Sequence, residues 1–163
     1  MKNEATSAVQ MLAPDGSTIQ TLDVVKDLLI EAPIEIVWES VLEEVGTGAM
    51  APNGASMSMK LEAWPGGRWF RDLGEGVGHL WGHVQVIKPP KLLEVTGPLF
   101  MSYPAVSHVQ YRLIEEGGKT RLKLTHRAIG LLDPEQTKGV HEGWQKIMDG
   151  VAAIAKRRVT TGK

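Results

Sequence analysis

The 163-residue chain contains no cysteine, which excludes disulfides, thiolate-bound zinc and a thiol nucleophile. It also lacks an excess of either charge: 18 basic against 19 acidic side chains give a formal net charge of -1. No basic stripe would gather nucleic acid or an anionic membrane. Long apolar runs are missing too. The opening MKNEATSAVQML has no apolar core of signal-peptide length, and no segment approaches a membrane span. The expectation is a cytoplasmic protein with neither a membrane span nor a nucleic-acid partner. Ser-His-Asp order, paired carboxylates, a nucleotide fingerprint and a nucleophile elbow do not stand out. No cofactor is therefore implied, and no catalytic constellation is evident.

What is present suits one domain. Hydrophobic residues make up 42% and charged residues 23%, an ordinary balance for a globular chain. Residues 1–20 read as a polar tail that includes the turn signal APDGS, and 21–163 as one domain. From Thr21, Leu22, Val24, Leu28 and Ile30 share one parity and predict a strand. After Pro33, Ile34, Val37, Trp38 and Val41 recur at helical spacing, with Glu35, Glu39, Glu43 and Glu44 expected to turn outward and Trp38 toward the sheet. GTGAMAPNGAS (46–56) reads as a loop. Strands are then expected at 57–63, from 69, at 79–87, 92–96, 107–115 and 120–127, the last two joined by the hairpin signal EEGGK. Trp144, Ile147, Met148, Val151, Ile154 and Ala155 make one apolar face of a helix over 134–158. Strand, helix, about six consecutive strands and a long helix predict an α+β fold. In it, a curved antiparallel sheet is covered by its terminal helix.

Residues 63–70, AWPGGRWF, pose a separate question, because two of only five tryptophans bracket one turn. A phosphate-binding glycine loop needs a helix after it. Here WFRD follows and reads as a strand, so Pro65-Gly66 is expected at the centre of a type II turn. GEGVG (74–78) fails the same test. His79, Trp81 and His83 lie on one strand parity, but residues four apart on a strand are separated by roughly 13 Å and cannot share a zinc ion. No metal site is expected.

APIEIVWESV, the WPGGRWF turn, WGHVQVIKPPKLLEVT, YRLIEEGGKTRLKLTHRAIG and the GW of HEGWQKIM occur together and in order over about residues 22–156. In these stretches the chain resembles the helix-grip superfamily (SRPBCC, START-like) that includes START lipid-transfer domains, Bet v 1-like proteins and polyketide cyclases. It most resembles the branch named after the C-terminal domain of the heat-shock-protein ATPase activator. The resemblance implies a helix-grip fold with a cavity between sheet and C-terminal helix. No counterpart of the activator's separate N-terminal domain is expected within these residues, and the loop 98–105 departs from the family pattern.

Within that frame, His126 ends the parity of Leu122 and Leu124 and is expected at the cavity mouth. It would serve there as an acid-base group or ligand partner, or as a structural histidine bonded to a backbone carbonyl. Tyr111 shares the interior parity of Val109 and Leu113. Trp69, Trp144 and Met148 either wall the pocket or pack as core. The candidate ligand site is thus Trp69, Tyr111, Leu122, Leu124, His126, Trp144 and Met148. Three readings follow: a module binding a small hydrophobic or amphipathic molecule, a cyclase, hydrolase or lyase with His126 or Tyr111 as proton donor, and a chaperone-cofactor-like protein-binding domain. A homodimer is compatible with each.

Overall fold

A computed structural model describes residues 16–162; most of the polar tail lies outside the described residues. Seven strands form one antiparallel sheet: β1 (Gln20–Ile30), β2 (Met59–Leu61), β3 (Arg68–Asp72), β4 (Gly78–Lys88), β5 (Leu92–Gly97), β6 (Ala105–Glu116) and β7 (Lys119–Gly130), in the order β1-β7-β6-β5-β4-β3-β2. Helix α1 (Ile34–Val45) joins β1 to β2, which stand at opposite edges of the sheet. The α+β helix-grip expectation holds: Trp144, Met148, Val151 and Ala155 of the C-terminal helix join Val24, Val109, Tyr111, Leu122 and Leu124 of the sheet in one buried cluster.

Local chemistry explains most boundaries. Pro33 stands one position before α1, where its missing N–H leaves no donor unsatisfied. β6 and β7 turn through Gly117 (φ 58°) and Gly118 (φ 81°), the left-handed pair that a two-residue hairpin requires. The AWPGGRWF stretch is a tight turn, as expected. The Gly67 amide donates to the Trp64 carbonyl (2.8 Å) and Gly66 has φ 84°. The turn docks on β4 through Gly66 N–H to the Val84 carbonyl (2.8 Å) and Val84 N–H to the Gly67 carbonyl (2.7 Å). The two tryptophans part company across it, Trp64 being 57% exposed and Trp69 only 3%.

Three expectations are corrected. The C-terminal helix is two helices, α2 (Pro134–Lys138) and α3 (Val140–Thr161), divided at Gly139. The Asp133 side chain caps the first of them by accepting from the Glu135 amide. His79, Trp81 and His83 do not keep one parity. A β-bulge sets Trp69 opposite Gly82 and Phe70 opposite Leu80, so the register slips at Trp81. His83 pairs with exposed Arg68, while the Trp81 ring meets buried Trp69. Glu43 and Glu44 do not turn out to solvent, because α1 packs against α3 as well as the sheet. Glu43 is bound by Arg157 (2.5 Å) and Arg158 (2.7 Å), and Glu44 lies against Gly150.

Candidate functional site

Near its start α3 presents glycine rather than side chains. A Cβ added at Gly139 or Gly143 would meet nothing of the described residues within 4 Å. Facing this bare stretch is a pocket of about 610 Å³, bounded by Trp144 and Ile147 of α3, Met50 and Met57 from the loop after α1, Trp81 and Phe100. Volume and lining fall in the range of small-molecule sites.

Backbone geometry delivers each wall. The segment 49–57 folds into a flap, with Met57 N–H donating to the Ala49 carbonyl (3.0 Å) and Ala51 N–H to the Ala55 carbonyl (2.8 Å). The bulge in β4 tips Trp81 off the regular ladder, and its carbonyl accepts from the Leu99 amide (2.7 Å). Leu99 itself holds a left-handed φ of 54° with no exposed surface. That conformation costs roughly 1 kcal/mol or more for a non-glycine residue, and burying the leucine side chain offsets it. The result is that Phe100, next in sequence, reaches the pocket.

Aromatic rings continue inward from these walls in edge-to-face contacts. Centroids are 5.0 Å apart for Trp69–Trp81, 5.9 Å for Trp81–Phe100, 6.3 Å for Phe100–His126, 5.5 Å for His126–Trp144 and 6.4 Å for Tyr111–Trp144. His126 is the polar knot of this chain. The Trp144 indole N–H donates to its Nδ1 (2.9 Å), and its Nε2 is 2.9 Å from Ser107 Oγ. Indole nitrogen only donates, so Nδ1 must be the bare nitrogen and Nε2 carries the proton, which it donates to the serine hydroxyl. Burial pushes the imidazole down to about 4, and the ring is neutral over the physiological range. Both nitrogens are committed within the protein, which leaves the ring nothing to offer a substrate without displacing Trp144 or Ser107.

Glu44, on the last turn of α1, borders the same pocket. Its carboxylate faces Gly150 so closely that a Cβ there would stand 2.6 Å from Oε1. Burial, followed by the negative charge of Glu43, pushes Glu44 up to about 7. Its neighbour behaves oppositely: burial works to raise Glu43, but the guanidinium groups of Arg157 and Arg158 outweigh it and hold that carboxyl low. Adjacent glutamates thus differ because, among the described residues, only Glu43 has a cation.

Of the seven residues singled out in the sequence, Trp144 lines the pocket. His126 stands behind it. Tyr111, Leu122, Leu124 and Met148 have no exposed surface and fill the space under α3. Trp69 is tied into the core by its indole N–H to the Val45 carbonyl (2.6 Å), where it satisfies the end of α1. The Tyr111 hydroxyl is buried without a hydrogen-bond partner among the described residues, and burial followed by the charge of Glu44 drives the phenol far up. Sequence reasoning missed Glu44, Met50, Met57, Trp81 and Phe100. One signal was present: glycines 139, 143 and 150 mark where α3 is stripped or closely approached.

A more open groove of about 1090 Å³ runs beside β2 and β3. Two ion pairs line it, Lys60 with Asp72 (2.6 Å) and Arg68 with Glu62, and Arg71 donates to the Met57 carbonyl (3.0 Å). Among the described residues no group of three or more His, Asp or Glu could hold a metal ion.

Residues 31–156 match the family model of the Activator of Hsp90 ATPase homolog 1-like proteins. The chain belongs to this family. Several solved structures share the fold at low identity. An uncharacterised protein from Rhizobium leguminosarum superposes with a TM-score of 0.64 at 18% identity, covering 85% of this chain and 97% of its own. CalU16 from Micromonospora echinospora gives 0.56 at 20% identity, covering 93% and 85%. DynU16, from the dynemicin biosynthetic locus, gives 0.58 at 19% identity, covering 86% of this chain and 48% of its own. A comparison with curated proteins finds no match. Among the described residues no helix is long and apolar enough to cross a membrane.

Proposed function

We propose that this family member binds a small apolar or amphipathic molecule in the pocket between α3, the 49–57 flap and Phe100. The observation that carries the reading is the bare glycine face of α3 opposite aromatic and methionine walls. A packed core would fill such a face with side chains. The origin of the similar fold DynU16 in a biosynthetic locus adds a small-molecule setting by analogy of fold alone. Binding of the neutral fluorophore N-phenyl-1-naphthylamine tests it. Wild-type protein should bind with a change in Trp144 emission. Gly143→Trp should abolish binding while the melting midpoint holds, since its side chain enters open space. Undiminished binding in Gly143→Trp would remove the pocket from consideration.

A second reading has one observation in its favour. A carboxyl titrating near 7 in a largely apolar pocket suits general acid-base work, and Glu44 would then be the proton carrier of a cyclase, hydrolase or lyase. Turnover with a pH dependence lost in Glu44→Gln would mark it.

A further inference from the structure

We infer that the pocket selects an organic cation, a flat apolar body bearing a protonated amine that pairs with the Glu44 carboxylate. The inference rests on the binding reading above and narrows its ligand class. Among the described residues, Glu44 is the one acidic residue bordering the pocket. No cation of the described residues lies within ion-pairing distance of it. The two arginines that α3 sends toward the end of α1 are both spent on Glu43, Arg157 at 2.5 Å and Arg158 at 2.7 Å. Lys146 borders the same pocket but is exposed and makes no ion pair with Glu44. From the sheet, the Tyr111 phenol feels the charge of Glu44, but it is neutral and gives no compensation.

The half-buried carboxylate also packs closely against α3. Gly150 is the place on α3 that admits it, and a single methyl there would collide with all three carboxyl heavy atoms, at 2.6, 2.7 and 2.8 Å. A half-buried and uncompensated carboxylate at the edge of aromatic walls is a site lacking a positive charge. An ammonium group supplies it, and the faces of Trp81, Phe100 and Trp144 add their own attraction for cations. A carboxylate or phosphate ligand would instead meet Glu44 with like charge, which separates this pocket from one suited to fatty acids. The pH signature follows. Glu44 gives up its proton around neutrality, and a bound cation favours the ionised form. Affinity for the cation should therefore rise by about tenfold between pH 6 and pH 8, the change in ionised fraction for a group at 7.

The test compares 2-(2-naphthyl)ethylamine, protonated at both pH values, with its neutral isostere 2-(2-naphthyl)ethanol by titration calorimetry. Expected are tighter binding of the amine than the alcohol at pH 8, the tenfold gain from pH 6 to 8 for the amine alone, and loss of both in Glu44→Gln with alcohol binding retained. Gly150→Ala, which displaces the carboxylate by contact, should weaken the amine more than the alcohol and serves if Glu44→Gln fails to fold. Equal affinities and equal pH profiles for amine and alcohol would overturn the inference and leave the pocket standing. An amine preference that survives in Glu44→Gln would overturn it as well. Failure of both probes to bind would bring down the pocket reading itself.

Discussion

Trp144 and His126 hold one another, and the consequence at the scale of a single proton is measurable. The indole bond to Nδ1 favours the neutral ring, since protonating that nitrogen means breaking it. Trp144→Phe should raise the His126 pKa, followed by imidazole carbon shifts in NMR. An unmoved titration would mean that burial alone sets it. The same variant leaves a buried acceptor unpaired and should lose on the order of 1–3 kcal/mol. Because the folded pKa of His126, about 4, lies below the ordinary value of 6.5, the unfolded chain takes up the proton first as pH falls. The contribution is fully present above pH 6.5 and is lost as pH falls from there to about 4, amounting to roughly 3 kcal/mol. His126→Gln should flatten that limb of a denaturation-midpoint curve.

Among the elements, the turns and the glycines of α3 offer the sharpest contrasts. Gly66→Val meets no atom within 4 Å, yet φ is 84°, so its cost of about 1–2 kcal/mol is backbone strain alone. The melting midpoint should fall by a few degrees without effect on any ligand. In α3, Gly143→Ala enters open space and should gain up to about 1 kcal/mol of helix propensity. Gly150→Ala has the same propensity gain but must displace Glu44, and thermal melts of the pair should separate. These glycines also show what the sequence could tell. The order of strands and helices was legible because alternation and helical spacing report burial along one element at a time. Pairing of α1 with α3 was not, since Glu43 and Glu44 look like a solvent face until a second helix supplies Arg157, Arg158 and Gly150. Trp81 was hidden for a related reason: a bulge shifts parity by one residue without leaving a turn former to announce it. The space expected beside Met148 lies one to two helical turns away, next to Gly143. Met148 has no exposed surface, and Met148→Trp should overpack the core by about 1–3 kcal/mol.

At the scale of the whole molecule, two buried groups pull its pH dependence in opposite directions. His126 makes stability rise with pH up to about 6.5. Glu44, with its folded pKa raised to about 7 from the ordinary value of 4.5, makes it fall as pH climbs through that interval. Between pH 5 and 6.5 the two contributions oppose, and Glu44→Gln should steepen the rise in stability there, read from urea midpoints at several pH values. An unchanged slope would mean that Glu44 titrates as an ordinary surface carboxyl. The strand order carries a consequence of another kind, in time. Among the described strands β1 pairs only with β7, Gln20 opposite Gly130 and Ile30 opposite Thr120. As a ribosome extends this chain, its first strand emerges about a hundred residues before its partner, a wait of roughly 5–20 s at ordinary translation rates. Throughout it, Leu22, Val24, Leu28 and Ile30 have no sheet to join. The nascent chain therefore depends on whatever shields an unpaired apolar strand until β7 arrives.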